Sequence, residues 1–597
     1  MSFDSATSRR AGAAVEHFLA RRGVWLLAAF AFVYYALYYD TGLKLTGEQG
    51  SNALIAMRII GGERPIADMF IGYNLLWFYP LVWIFSVLGP HWLAMRIYFL
   101  LIAAVTALLG YAMVRRVTGL AWAALATGVL MVLMPSSIFR NYLGFIGILA
   151  ATVLLRGYVL EAGSARRQIA WMAAAGAGLS VCYLIRIEPS LLITVVWAGL
   201  AVLYPFGERG AFARRLRTVA TGTALALAAF AAVHAPFVIH AYQRGFGPEF
   251  TGQYSQYFHM LGDELRREVD HWTAPSAVVT PSAAAVVAES AAPAPGADEF
   301  GGRDGRRALP SPWKIVSRDG IYFFAAAIWF PVLLAPLFAL TGLFLLWPAL
   351  VRGDPERKGL ALVMLTTTGC ALAFFPQYFF FRPDPTHLNE FLLVFWPASV
   401  CSAWAAWRAA GLSGSRACRM VSCLLAVLTA LQMVVSFNAL FNRESSGSIR
   451  SARGMDTPFR AAHGVAAKVK KKELPDWEGL RDTVLRHAAP GEFVITYPYV
   501  PIVNVMCDRP SYQRRLYTDN ATADAGFFAG ESALIDERRP AVIVINNRAI
   551  NKTEESRFRN WAAPLQGHIE ANYIPVGEFF GEISVYARPD TVMGTRR

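Results

Sequence analysis

Five ionisable side chains, Glu48, Arg58, Glu63, Arg64 and Asp68, crowd into one short polar loop that follows the first apolar run. A chain as apolar as this one seldom gathers so many charges beside a bilayer without a use for them. Further charged residues stand at the ends of later apolar runs: Arg140, then Arg186 and Glu188 in LIRIEPS, then Arg382, Asp384, His387 and Glu390 in FRPDPTHLNE. Carboxylates among arginines suit one kind of chemistry. A carboxylate can take the proton from an attacking hydroxyl, while arginines hold and neutralise a departing phosphate. A donor with a phosphate head and a lipid tail needs such a site at the membrane edge, where the aromatic run Tyr73, Trp77, Phe78, Tyr79 and Trp83 can accept the tail. The blander readings are a solvated connector for the loop, a local ion pair for Arg186 and Glu188, and ordinary helix residues for His234 and His240.

The elements that must position these residues follow from composition. Of the 597 residues, 55% are hydrophobic and only 16% charged, where a soluble protein carries about 25% charged residues. Repeated apolar runs of roughly 20 residues define a polytopic helical membrane protein. The net charge of +14 comes from Lys and Arg clusters between the runs. Such clusters set topology and meet anionic headgroups, so no nucleic-acid partner is implied. Six cysteines without a CxxC pair argue against structural disulfides and a thiolate metal site. The first apolar run has no small-residue cleavage site and reads as an anchor that stays.

Arg9, Arg10, Arg21 and Arg22 place residues 1–23 in the cytoplasm, so span 1 (about 24–39) runs outward. The segment 73–88 is expected to lie in the interface or re-enter, because a crossing there would put Arg115 and Arg116 outside. The remaining ten spans are expected near 92–114, 119–136, 142–160, 169–186, 190–206, 218–240, 321–350, 359–377, 388–407 and 420–438. Each major basic cluster between spans then faces the cytoplasm. The expected architecture is mainly α, a bundle of about eleven spans plus interfacial helices over 24–440. Its first external loop covers 40–91, and residues 273–298, rich in Ala, Pro, Ser and Val, form an external linker expected to be disordered. Residues 451–597 read as a small external α/β domain, with helix at Leu480–His487 and strands at Glu492–Tyr497, Ala541–Asn546 and Ile583–Arg588. It has no phosphate-binding glycine loop.

The order of span, acidic residue, amphipathic helix, Gly-Glu-x-Pro turn and aromatic interfacial helix resembles the GT-C glycosyltransferases. The resemblance is to the aminoarabinose lipid A transferases and protein O-mannosyltransferases. It covers roughly residues 24–440. Glu48-Gln49-Gly50 stands where the family's first loop carries its acidic motif. The family's A-R-I-x-x-G-E-x-P-Y-x-D pattern is matched by the segment from Ala56 to Asp68, which includes Arg58, Gly62, Glu63, Arg64 and Pro65. Arg186-Ile187-Glu188 resembles the family's Arg-x-Asp turn, and Arg382-Pro383-Asp384-Pro385-Thr386-His387 its later Arg-x-Asp-x-x-His. The resemblance implies a polyprenyl-phosphate-linked sugar as donor and a glycan, lipid or protein hydroxyl as acceptor, on the external face of a bacterial inner membrane. It also implies inverting attack, with Glu48 as base and Asp40 or Asp68 as substitutes. Arg58, Arg64, Tyr73, Arg186, Glu188, Arg382, Asp384 and His387 would form the substrate and phosphate site, with a divalent cation conceivable but unassigned. The rival class is a transporter or flippase of a lipid-linked or anionic substrate. A transporter should show repeat-related halves and polar groups at mid-membrane, and neither is clear here.

Overall fold

The computed structural model describes residues 5–134, 141–161, 163–207, 210–255, 323–376, 385–443, 454–518, 525–549 and 554–594, with isolated positions between them. The expected linker 273–298 lies outside the described residues. Among the described residues, thirteen helices before the C-terminal domain bear on the site. They are α1 (Ser5–Ala36), α2 (Glu48–Ile60), α3 (Leu75–Leu88), α4 (Trp92–Thr118), α5 (Ala121–Leu133), α6 (Asn141–Leu155, extended by a π turn), α7 (Ala165–Ile185), α8 (Ile187–Leu203), α9 (Phe212–Gln243), α10 (Phe323–Arg352), α11 (Pro355–Leu372), α12 (Pro385–Ser413) and α13 (Arg416–Arg443). Eleven of them, all except α2 and α3, coincide with the eleven apolar spans read from the sequence.

Eight helices among the described residues are long and apolar enough to cross a membrane, and Leu75–Leu88, Ala121–Leu133 and Ile187–Leu203 are shorter apolar helices. At 1.5 Å per residue, the 14 residues of α3 span about 21 Å, less than the roughly 30 Å hydrocarbon core. Its aromatic rings do not all face outward. Trp77 and Phe78 are buried and only Trp83 is exposed, at 58%. The reason is helical periodicity: Trp77, Phe78 and Leu81 share the face turned toward α2 and α7.

Small residues let the helices approach closely. On α7, Gly176 lies so near α9 that an added Cβ would stand 2.0 Å from the Ala226 carbonyl oxygen. Residues past α13 build the α/β domain. A hairpin, β1 (Met455–Arg460) with β2 (Ala466–Lys470), is followed by α14 (Leu474–His487). A four-stranded sheet then forms from β3 (Val494–Tyr497), β4 (Val542–Asn546), β5 (Ile574–Phe579) and β6 (Ile583–Ala587). Its order is β3-β4-β6-β5, with β3 and β4 parallel and the other pairs antiparallel. Every residue of β3 and β4 is buried, which is why these two strands read as continuous apolar runs in the sequence. Hairpin β1–β2, strand β5 and the intervening short helices had no comparable pattern.

The C-terminal domain is seated on the first loop through backbone hydrogen bonds. Lys468 N–H donates to the Asp40 carbonyl (2.7 Å) and its own carbonyl accepts from Gly42 (2.8 Å). Phe70 N–H donates to the Arg514 carbonyl (2.7 Å) and Trp92 N–H to that of His463 (3.0 Å). The loop is therefore held between the bundle and the domain.

Candidate active site

Glu48 opens α2, so its carboxylate stands in the first turn, where unpaired helix N–H groups favour an anion. Tyr73 donates its hydroxyl to Glu48 Oε2 at 3.0 Å. One turn further along each segment, Trp77 donates Nε1–H to Asn52 Oδ1 at 3.1 Å. Glu48 and Asn52 are spaced i, i+4 on α2, which places them on one face, while Tyr73 just precedes α3 and Trp77 lies in its first turn. The two rungs lace α2 to the start of α3, and the Tyr73 and Trp77 rings stack with centroids 3.9 Å apart.

Asn74 fixes this assembly against the end of α7. Its Oδ1 accepts from Leu75 N–H at 2.7 Å and so caps α3. Its Nδ2 donates to the Tyr183 carbonyl at 2.9 Å, and its backbone N–H donates to the Ile185 carbonyl at 3.1 Å. Arg186 follows directly, so its guanidinium lies 5.4 Å above the Tyr73 ring, within cation–π range. Arg186 is buried and bonds Glu188 at 3.1 Å, as the local-pair reading expected. Glu48 and Tyr73 thus converge at one end of the bundle with Arg186 and Glu188, which lie more than a hundred residues further along the sequence.

The other expected site residues are placed differently. Arg58 sits ten residues beyond Glu48 on α2, about 15 Å along the helix. It is buried and committed elsewhere: Nε and Nη2 donate to Glu63, at 2.9 and 2.5 Å, and Nη1 donates to the Gln513 carbonyl at 2.7 Å. Gln513 is held in turn by its side chain, which accepts from Thr496 N–H (3.0 Å) and donates to the Thr496 carbonyl (3.1 Å) like a strand partner. Arg64 pairs with Asp68 at 2.7 Å on the surface, and that pairing holds the Asp68 carboxyl below the usual range. The pair closes a turn in which Ile66, β-branched, adopts φ +73°. Such a conformation costs on the order of 1–3 kcal/mol and persists only where its surroundings enforce it. Asp40 pairs with Lys468 at 2.9 Å. Arg96, buried on α4, holds the same chain exit by donating to the carbonyls of Thr41 (2.7 Å) and Gly42 (3.2 Å). Arg140, Arg382 and Asp384 lie outside the described residues, as does the side chain of His387; its backbone is in the first turn of α12. Among the described residues, no group of three or more His, Cys, Asp or Glu is placed to hold a metal ion.

Asn52 escaped the sequence reading, and Trp77, read there only as part of the aromatic run, was not paired with it. Tyr499 could not be found that way. Its hydroxyl lies 3.1 Å from Ser51 Oγ, which also donates to the Glu48 carbonyl at 3.1 Å, across 448 residues of chain. Beside it, Gly50 meets the C-terminal domain so closely that a Cβ would lie 2.7 Å from the Ile502 nitrogen.

Fold and site together define a polytopic helical membrane protein whose carboxylate-and-arginine cluster lies where the bundle meets a small α/β domain. Among solved structures, the chain resembles the apo oligosaccharyltransferase of Archaeoglobus fulgidus, with TM-score 0.48 and 13% identity over 95% of this chain and 74% of that one. It also resembles apo ArnT from Cupriavidus metallidurans, with TM-score 0.43 and 15% identity over 95% of this chain and 98% of that one. No family model and no curated protein matches the chain.

Proposed function

We propose that this chain is a GT-C-type glycosyltransferase of a bacterial inner membrane, which moves a sugar from a polyprenyl-phosphate donor to an acceptor hydroxyl of a glycan, lipid or protein. The N-terminus is cytoplasmic, and the site and the C-terminal domain face the periplasm. Glu48 takes the acceptor proton as the acceptor oxygen attacks the anomeric carbon. The bond from that carbon to the phosphate oxygen breaks, inverting the centre, and Arg186 neutralises the departing phosphate. Tyr73 holds the Glu48 carboxylate and carries Arg186 over its ring. Glu188 orients Arg186. Arg382, Asp384 and His387 complete the phosphate site in this reading. The observation that carries the proposal is the contact of Tyr73 with both a helix-N-terminal carboxylate and a buried arginine. It sets a carboxylate and an arginine beside one aromatic surface, which supports these roles.

The test is sugar transfer from a synthetic polyprenyl-phosphate donor in detergent, with donor binding measured alongside. Glu48→Gln keeps size and hydrogen bonding but removes the base, so turnover should fall by about 10²–10⁴-fold while donor affinity survives. Near-normal turnover by this variant would remove Glu48 from the mechanism and leave Asp40 or Asp68 as base. No transfer by the wild-type protein with any such donor would sink the reading.

A further inference from the structure

At the other end of the bundle, α10, α12 and α13 form a groove of about 440 Å³, within the roughly 300–1,000 Å³ typical of small-molecule sites. Ala406, Ala409 and Ala410 of α12 make its floor, and Phe344 of α10 and Val421 of α13 stand on opposite walls. Its position follows from helix length. The groove takes in Ala417, Cys418, Val421, Ser422 and Leu425, the first turns of α13. The 28 residues of that helix carry the chain about 42 Å onward before it enters the C-terminal domain. Phe344 is 75% and Val421 54% exposed, so the groove opens sideways through apolar side chains that face lipid.

One end is polar. Arg357, in the first turn of α11, lines the groove, donates Nη2–H to the Leu412 carbonyl (3.2 Å) and pairs with Asp354 (3.3 Å). Around it the ends of α10, α12 and α13 carry Arg352, Arg408, Arg416 and Arg419 against Asp354 and Glu356, the latter paired with Arg408 at 3.3 Å. An apolar slot opening to the bilayer beside an excess of arginines is complementary to one occupant. We propose that it holds an acyl chain of an anionic glycerophospholipid, with the headgroup phosphate at the Arg357 end, in the way basic pockets between membrane helices hold anionic head groups. This lipid is distinct from the sugar donor, whose phosphate would sit at the opposite end of the bundle.

The experiment uses the full chain in nanodiscs containing equal phosphatidylglycerol and phosphatidylethanolamine, followed by progressive delipidation and native mass spectrometry. Phosphatidylglycerol should be retained about five-fold over phosphatidylethanolamine, the preference one arginine near the surface can supply. Ala410→Phe, which fills the floor, should lose the retained lipid, whereas Val195→Phe on lipid-facing α8 should not. Arg357→Gln leaves the slot open and should retain lipid but without the headgroup preference. Equal retention of both phospholipids by the wild type, or unchanged retention by Ala410→Phe, overturns the assignment. So does displacement of the lipid by equimolar polyprenyl phosphate, which would make the groove a place for the donor's tail.

Discussion

Replacing Arg58 with Met removes a charge that the sequence pattern assigns to phosphate but the tertiary structure ties to the C-terminal domain. The Arg58 side chain is 5% exposed and its partner Glu63 37% exposed. Glu63 can therefore turn to water when the arginine goes, and the lost ion pair is worth no more than about 1 kcal/mol. The Gln513 carbonyl is different. Its 2.7 Å bond from Arg58 Nη1 is buried, and leaving a buried acceptor unsatisfied costs about 1–3 kcal/mol. Methionine refills most of the aliphatic volume, so no large cavity is added. The expected loss is roughly 1–4 kcal/mol, felt where α2 meets the domain. At about 2–4 °C per kcal/mol for a domain of roughly 150 residues, that corresponds to a fall in Tm of roughly 2–16 °C. The assay is thermal unfolding of the purified protein in detergent, with donor affinity measured in parallel at a temperature where the variant is folded. Lower Tm with unchanged donor affinity is the expected result. Unchanged Tm with donor affinity lowered ten-fold or more would refute the reasoning and return Arg58 to the phosphate site.

Other outcomes follow from the same contacts. Gly50→Val forces a side chain against the Ile502 backbone at 2.7 Å and should destabilise the α2–domain contact by about 1–3 kcal/mol; limited proteolysis that releases the C-terminal domain no faster than in the wild type would contradict this. In the domain itself, burial pushes the Glu531 carboxyl above its ordinary value while Tyr497 bonds it. A carboxyl with a raised folded-state pKa binds its proton more tightly folded than unfolded. Its contribution is present below the ordinary glutamate pKa and is lost as pH rises through the folded value. Glu531→Gln should flatten that decline in Tm above the ordinary glutamate range, and an unchanged pH profile would exclude Glu531 as its source. For topology, cysteines placed one at a time at 115–118 in a Cys-free variant should resist an impermeant thiol reagent added outside, whereas one at position 45 should label. Equal labelling would make α3 a crossing helix.

Several features of this protein were determined by the sequence alone. Apolar runs long enough to span a bilayer have few structural alternatives, because unpaired backbone polar groups are too costly in hydrocarbon. For that reason each of the eleven expected spans overlaps a helix, and among the described residues eight of those helices are long and apolar enough to cross a membrane. Buried parallel strands such as Val494–Tyr497 and Val542–Asn546 were legible for a similar reason, since burial on both faces demands continuous β-branched and aromatic side chains. Half-exposed strands such as Ile574–Phe579 demand no such pattern and were missed.

The candidate site was legible in its residue types and illegible in its pairings. Glu48 and Arg186 could be named because charges are rare in this chain, and Tyr73 because it opens the aromatic run. Which arginine serves the carboxylate and which serves the scaffold could not. Arg58 and Arg186 look alike in sequence, each with a glutamate within five residues. They are separated by contacts that only the folded chain creates: the Gln513 carbonyl arrives at one from 455 residues away, and Tyr73 is carried to the other by Asn74 docking on the end of α7. A side chain's charge is local information, but its role depends on the partner that burial leaves beside it, and that partner is set by tertiary packing.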